Sequence, residues 1–252
     1  MHMNLRHLPI LMAALLCCIG GAGAQELRRA SVWDLRLGQP IAAQPSVDEF
    51  RGFACGSNGG PPRQRLTGWS DFARCTAEPG GLHEVYFEYD DEYEYIARAR
   101  DLEREVARWA GTTEFNFPVI VSALFDAAGV LKGIRVLTDP RPDHRVDTAD
   151  ADLRKREDAY LLGSRMASRF NIDAKQDCTA VPPAEGESAV GGLFIKQSCE
   201  VDDPALGRKI ALRVNFFRKP GQSAFNPQMA TQLTQGQFES SARLEVMDTG
   251  RR

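Results

Sequence analysis

The sequence predicts an α+β fold in which antiparallel β-hairpins pack with two main amphipathic helices. Three observations predict it: the apolar period changes from that of a strand to that of a helix between residues 82 and 110, two β-rich runs are each broken by a turn signal, and four cysteines fall into two local pairs. Helix 95–110 precedes hairpin 118–138, and helix 149–170 precedes strands within 192–218, an order that reads as two helix–strand–strand units laid on antiparallel sheet.

Residues 31–80 carry turns rather than periodicity. Gly56, Gly59, Gly60, Pro61 and Pro62 follow Cys55 directly, so this stretch is expected to be a loop held covalently, with Trp69 and Phe72 as its hydrophobic anchors. From Leu82 to Tyr89 residues alternate, with Val85, Phe87 and Tyr89 on one face and Glu84, Tyr86 and Glu88 on the other, the pattern of a half-buried strand. From Tyr95 the apolar positions Tyr95, Ala99, Leu102, Val106 and Trp109 follow a helical spacing, with Gly111 placed to cap the end.

Val119–Phe125 and Val130–Leu137 read as a hairpin joined by Asp126-Ala127-Ala128-Gly129. Asp147 or Thr148 can cap the second helix, whose stripe is Leu153, Tyr160, Leu162, Met166, Ala167 and Phe170, with Asn171 as a left-handed stop. Residues 172–191 read as a loop. Leu193–Val201 and Lys209–Phe217 read as strands, Asn226-Pro227 as the start of a short helix, and Phe238–Met247 as a last, edge strand.

The first 24 residues carry an export pattern. Arg6 precedes the apolar run Leu8–Ile19, and Ala22-Gly23-Ala24 supplies small residues before Gln25. The run is too short for a spanning helix. Leu16 and Cys17 poorly suit the position before a lipidated cysteine, although Cys17 and Cys18 lie in the run. The expectation is a signal peptide over 1–24, cleavage near Ala24, a periplasmic or secreted location and no transmembrane anchor in the mature chain. Two disulfide-pinned α+β units would follow, 25–140 and 141–252, with one continuous domain as the other arrangement.

The mature cysteines are Cys55, Cys75, Cys178 and Cys199. In an oxidising compartment an even number argues for bridges, and the simplest pairing is Cys55–Cys75 with Cys178–Cys199. A tetracysteine zinc site usually draws on closely spaced cysteine knuckles, which this spacing does not supply.

Composition narrows the function classes. The formal charge is −3 for the whole chain, and cleavage removes one arginine and no acid, so nucleic acid is disfavoured as a partner. Cys55-Gly56-Ser57-Asn58-Gly59 approaches a nucleophile elbow but lacks its first glycine, and a turn explains Ser57. Asp139, Asp143, Asp147, Asp150 and Asp152 surround His144 without the spacing of a calcium loop, and acids near a helix start already complement its dipole. Arg63 with Arg65, and Arg141 with Arg145, read as solvated loop arginines. No catalytic residue, metal ligand or cofactor is therefore assigned.

Four of the five tyrosines fall between Tyr86 and Tyr95, interleaved with acids. Trp69, Tyr86, Glu88, Tyr89, Asp90, Asp91, Tyr93 and Tyr95 form a candidate binding face, because rings supply contact area and carboxylates accept hydrogen bonds from sugars or from a basic protein surface. The competing structural reading is a strand turning into a helix, with the rings in the core. The expected function is a non-catalytic exported protein that binds a protein or envelope component, such as a glycan. The alternative is an extracytoplasmic hydrolase that uses paired carboxylates, with a glycan as the expected substrate.

Overall fold

The structure is a computed structural model that describes residues 30–89, 100–102, 112–140, 158–222 and 238–250. Its strands are β1 (Arg51–Cys55), β2 (His83–Glu88), β3 (Thr113–Glu114), β4 (Phe117–Phe125), β5 (Leu131–Thr138), β6 (Cys178–Ala180), β7 (Ile195–Asp203), β8 (Arg208–Phe217) and β9 (Glu239–Asp248). They join one antiparallel sheet in the order β1-β2-β4-β5-β9-β8-β7-β6, with β3 paired beside β4. Among the described residues the single α-helix is α1, Leu161–Arg169.

The α+β expectation with two main helices is therefore corrected to a mostly antiparallel β-sheet protein. The two helix–strand–strand units go with it. The first predicted helix lies largely outside the described residues, but Arg100, Asp101 and Leu102 belong to them and are not helical. Asp101 has a φ of 53°, which no α-helix passes through, and Leu102, expected on the buried stripe, is 46% exposed. Of the second predicted helix, only the end around Leu162 and Met166 is helical among the described residues, stopping at Asn171 with a φ of 53°. A helical stripe is a weak prior when long strands supply the core that it would bury.

Strand signals served better. β4 and β5 form the expected hairpin, and its turn is fixed by Asp126 Oδ1, which accepts the Ala128 and Val130 amides at 2.9 Å each. β7 and β8 pair in continuous register from Ile195↔Phe216 to Asp203↔Arg208. β9 is not an edge strand. It lies between β5 and β8, pairing Arg135↔Glu245 on one side and Ala211↔Glu245 on the other. The segments 25–140 and 141–252 thus both contribute strands to one sheet.

Register divides the sheet into two faces. Val85, Phe87, Val121, Ala123, Ile134, Val136, Leu244, Val246, Ile210 and Leu212 point to one side and form the core. α1 covers the β8–β9 part of it through Leu162 and Met166. It sits so close that a Cβ on Gly163 would stand 2.4 Å from Val214 Cγ2. At the β1–β2 end the core is aromatic: Phe50, Phe53, Trp69 and Phe87 meet at centroid distances of 4.7–6.5 Å.

Both expected disulfides are present. Cys55–Cys75 ties β1 to the 3-10 turn Trp69–Arg74, and Cys178–Cys199 joins directly opposed positions of β6 and β7 with Cα atoms 3.9 Å apart. No helix among the described residues is long and apolar enough to cross a membrane.

Candidate functional site

The charged side chains gather on the face opposite the core. At its centre is Arg135, in the middle of β5, only 5% of whose side chain is exposed. Small residues make room for it: Ser122 is its partner on β4, and the long side chain reaches past that strand towards β2. Arg135 Nε donates to Glu245 Oε1 at 2.7 Å, and Nη1 and Nη2 donate to the two oxygens of Glu78 at 2.8 and 3.1 Å. Glu84 Oε1 lies 3.1 Å from Nη1, close enough for an ion pair, although the N–H does not point along that line. Glu84 Oε2 accepts the Asn58 amide at 2.6 Å, and a Cβ at Gly56 would fall 2.3 Å from the Glu84 chain.

The glycine–proline loop expected after Cys55 therefore has a place. It folds over the polar face, where Gly59 approaches Leu137 and Asn58 Oδ1 accepts from Arg243 Nη2. Leu137 belongs to a small second cluster with Ala54, Tyr86 and Ile120. Ser57 Oγ donates to the Pro61 carbonyl at 2.8 Å, a turn contact that explains the residue without a nucleophilic role.

Electrostatics decides what this cluster can do. Burial disfavours the charge on Arg135, but the bonds and charges of Glu78, Glu84 and Glu245 outweigh it and raise its pKa further. Burial likewise pushes the Glu245 carboxyl up, and hydrogen bonds from Arg135 and Arg243 overcome that and hold it below the usual range. A glycosidase acid must retain its proton near neutrality, so Glu245 is shifted away from that role. The cluster pins β2, β5 and β9 together.

The candidate face around Tyr86–Tyr95 fares differently. Trp69, Tyr86 and Tyr89 are 2%, 5% and 4% exposed, so these rings are packing groups and offer no area to a partner. Trp69 Nε1 donates to the Pro45 carbonyl at 3.1 Å. Tyr86 donates to Glu88 at 2.6 Å, and Glu88 also pairs with Arg51. The Tyr89 hydroxyl and Trp33 Nε1 both donate to the buried Glu114 carboxylate. Asp90, Asp91, Tyr93 and Tyr95 lie outside the described residues. So do His144, Arg141, Arg145, Asp143, Asp147, Asp150, Asp152 and Asn226-Pro227. His83 is structural: its Nδ1–H donates to the Cys75 carbonyl at 2.7 Å beside the Phe72 ring.

Farther along the same face, no described segment covers the polar rows of β7 and β8. Glu200, Lys209 and Arg213 are exposed there, with Lys209 paired to Glu200 at 2.6 Å. That bond and the Lys209 charge, with a smaller pull from Arg213, hold the Glu200 carboxyl below its ordinary range. Register sets Arg213 directly opposite Arg243, with Ser198 completing the row on β7.

Sequence reasoning missed Arg135, Arg213, Arg243, Glu84 and Glu245 as a group. The available signal was a charge at the centre of an otherwise apolar strand, as at Arg135 between Ile134 and Val136 and at Glu84 before Val85. Compared with known proteins, the chain matches no family model, no curated sequence and no solved structure.

Proposed function

We propose that this is an exported, non-catalytic binding protein that holds a protein or other envelope component on the open polar face of β7, β8 and β9. The observation that carries this reading is the asymmetry of the sheet. One face of these strands is sealed by the core, and the other presents charged and hydroxyl side chains in fixed rows on paired strands. Side chains held on rigid elements lose little freedom on binding. Two disulfides fit a protein that works in an oxidising compartment.

Capture from the native envelope tests it, with the tagged mature protein compared with a triple variant, Glu200→Lys, Lys209→Glu and Arg213→Glu. The wild type should retain a discrete component that the variant loses at unchanged melting temperature. Equal retention by both proteins, or no retained component, overturns the reading.

A further inference from the structure

We infer that the Arg213–Arg243 pair anchors an acidic protein segment by gripping a carboxylate between two guanidiniums. This rests on the reading of β7–β9 as the recognition face and names the chemistry of its partner. Directly opposed residues of antiparallel strands have Cβ atoms about 4.5–5.5 Å apart, and like charges in that position repel. The sheet nevertheless places two arginines there.

Arg243 is held on one side by Glu245 and Asn58, and the acid nearest Arg213 is held by Lys209. Glu245 Oε1 is shared between Arg135 Nε and Arg243 Nη2, each at 2.7 Å, and Glu200 is bonded to Lys209. Arg213, exposed on β8, forms no ion pair among the described residues, and the Arg243 side chain beside it is 26% exposed although its Nε is buried. A carboxylate placed between the two removes their repulsion and accepts from both in the planar geometry guanidinium favours. Ser198, in the same row, adds a hydroxyl donor.

The surroundings select the partner class. Nucleic acid would need a continuous basic face, and Glu200 and Asp202 interrupt one here. Glycan recognition draws on aromatic faces, whereas the Ser198–Arg213–Arg243 row supplies only charge and hydroxyl groups. An acidic segment needs only what this row provides, and arginine is enriched where proteins meet.

The test is titration of the mature protein with a fluorescent oligo-glutamate peptide, with oligo-lysine and inorganic phosphate as comparisons. Binding of oligo-glutamate alone, weakened by salt, is expected. Arg213→Ala should weaken it by about tenfold or more, Arg213→Glu further, and Arg213→Lys less than Arg213→Ala, with melting temperatures unchanged. No binding at millimolar peptide, binding indifferent to Arg213→Glu, or displacement by equimolar phosphate overturns the inference. The envelope capture separates this failure from that of the face itself. A component lost by the triple variant but kept by Arg213→Glu alone refutes the arginine anchor and leaves the face standing, whereas one kept by the triple variant removes both.

Discussion

Replacing Arg135 with methionine should be among the most damaging single changes to the sheet, and the structure sets the scale. The substitution keeps an unbranched side chain of similar reach but removes the cation between Glu78, Glu84 and Glu245. Glu84 suffers most, since only 4% of its side chain is exposed and its carboxylate cannot reach water. Breaking a buried ion pair from one side costs about 3–5 kcal/mol, because the remaining charge is left unpaired. For a domain of this size that corresponds to a fall in melting temperature of roughly 6–20 °C. Urea unfolding monitored by circular dichroism measures the first quantity and a thermal scan the second. Adding Glu84→Leu to Arg135→Met should recover much of the loss, because it removes the buried charge along with its partner.

Acidity gives an independent check on the same cluster. The Glu245 carboxyl sits below its usual range when folded, so its contribution to stability is present above the unfolded value near 4.5 and is lost as pH falls through the lower folded value. The gap between wild type and Arg135→Met should therefore narrow as the pH drops from neutrality into that acid window. A cost under about 1 kcal/mol, no recovery in the double variant, or a gap independent of pH would refute the argument that Arg135 is the electrostatic pin.

Other substitutions probe the core and the covalent ties. Gly163→Ala should destabilise by about 1–3 kcal/mol despite alanine's better helix propensity, because its Cβ meets Val214, and Val214→Ala should relieve part of the loss; denaturant melts of the single and double variants check both. Replacing Cys55 and Cys75 together should cost about 3 kcal/mol and raise amide exchange across residues 56–74 before the sheet opens, measured by hydrogen exchange with mass spectrometry. N-terminal sequencing of the native protein should find its start at or near Gln25, and an exported form that still begins at Met1 contradicts the cleavage reading.

Much of the sheet was legible because strands announce themselves locally. Alternation at Ile210, Leu212, Val214 and Phe216, and the Asp126–Gly129 turn, need only neighbouring residues to be read. The short strands β1, β3 and β6 escaped notice because they derive their order from partners: Cys178–Ala180 is a strand only because it lies beside Gln197–Cys199. The central place of β9 was hidden for a similar reason. Its half-apolar pattern suits an edge, and only pairing with β5, distant in sequence, reveals that its polar side faces Arg135 rather than open water. Tyr86 and Tyr89 resolve in favour of the competing structural reading. Composition offered these two rings to a surface, whereas alternation alone already placed Tyr89 with Val85 and Phe87 in the core.

The position of β9 also shows how the pinned half of the sheet meets the face proposed to bind a partner. Glu245 on this strand bonds Arg135 of β5, while Arg243, two residues away, bonds Asn58 of the disulfide-held loop. The polar face of the β1–β5 half is thereby closed by the loop and by its own ion pairs. Among the described residues the next rows, on β8 and β7, have no such cover, and Arg213, Lys209 and Glu200 are exposed there. Arg243 stands at that border, with one end tied to the closed half and its row running into the open one. Binding at the open rows should therefore be sensed by the pinned half through Arg243 and Glu245. A ligand that draws Arg243 away from Glu245 leaves that carboxylate to Arg135 alone, so the shared Glu245 oxygen adds a polar link to the β5–β9 ladder that already joins the two halves.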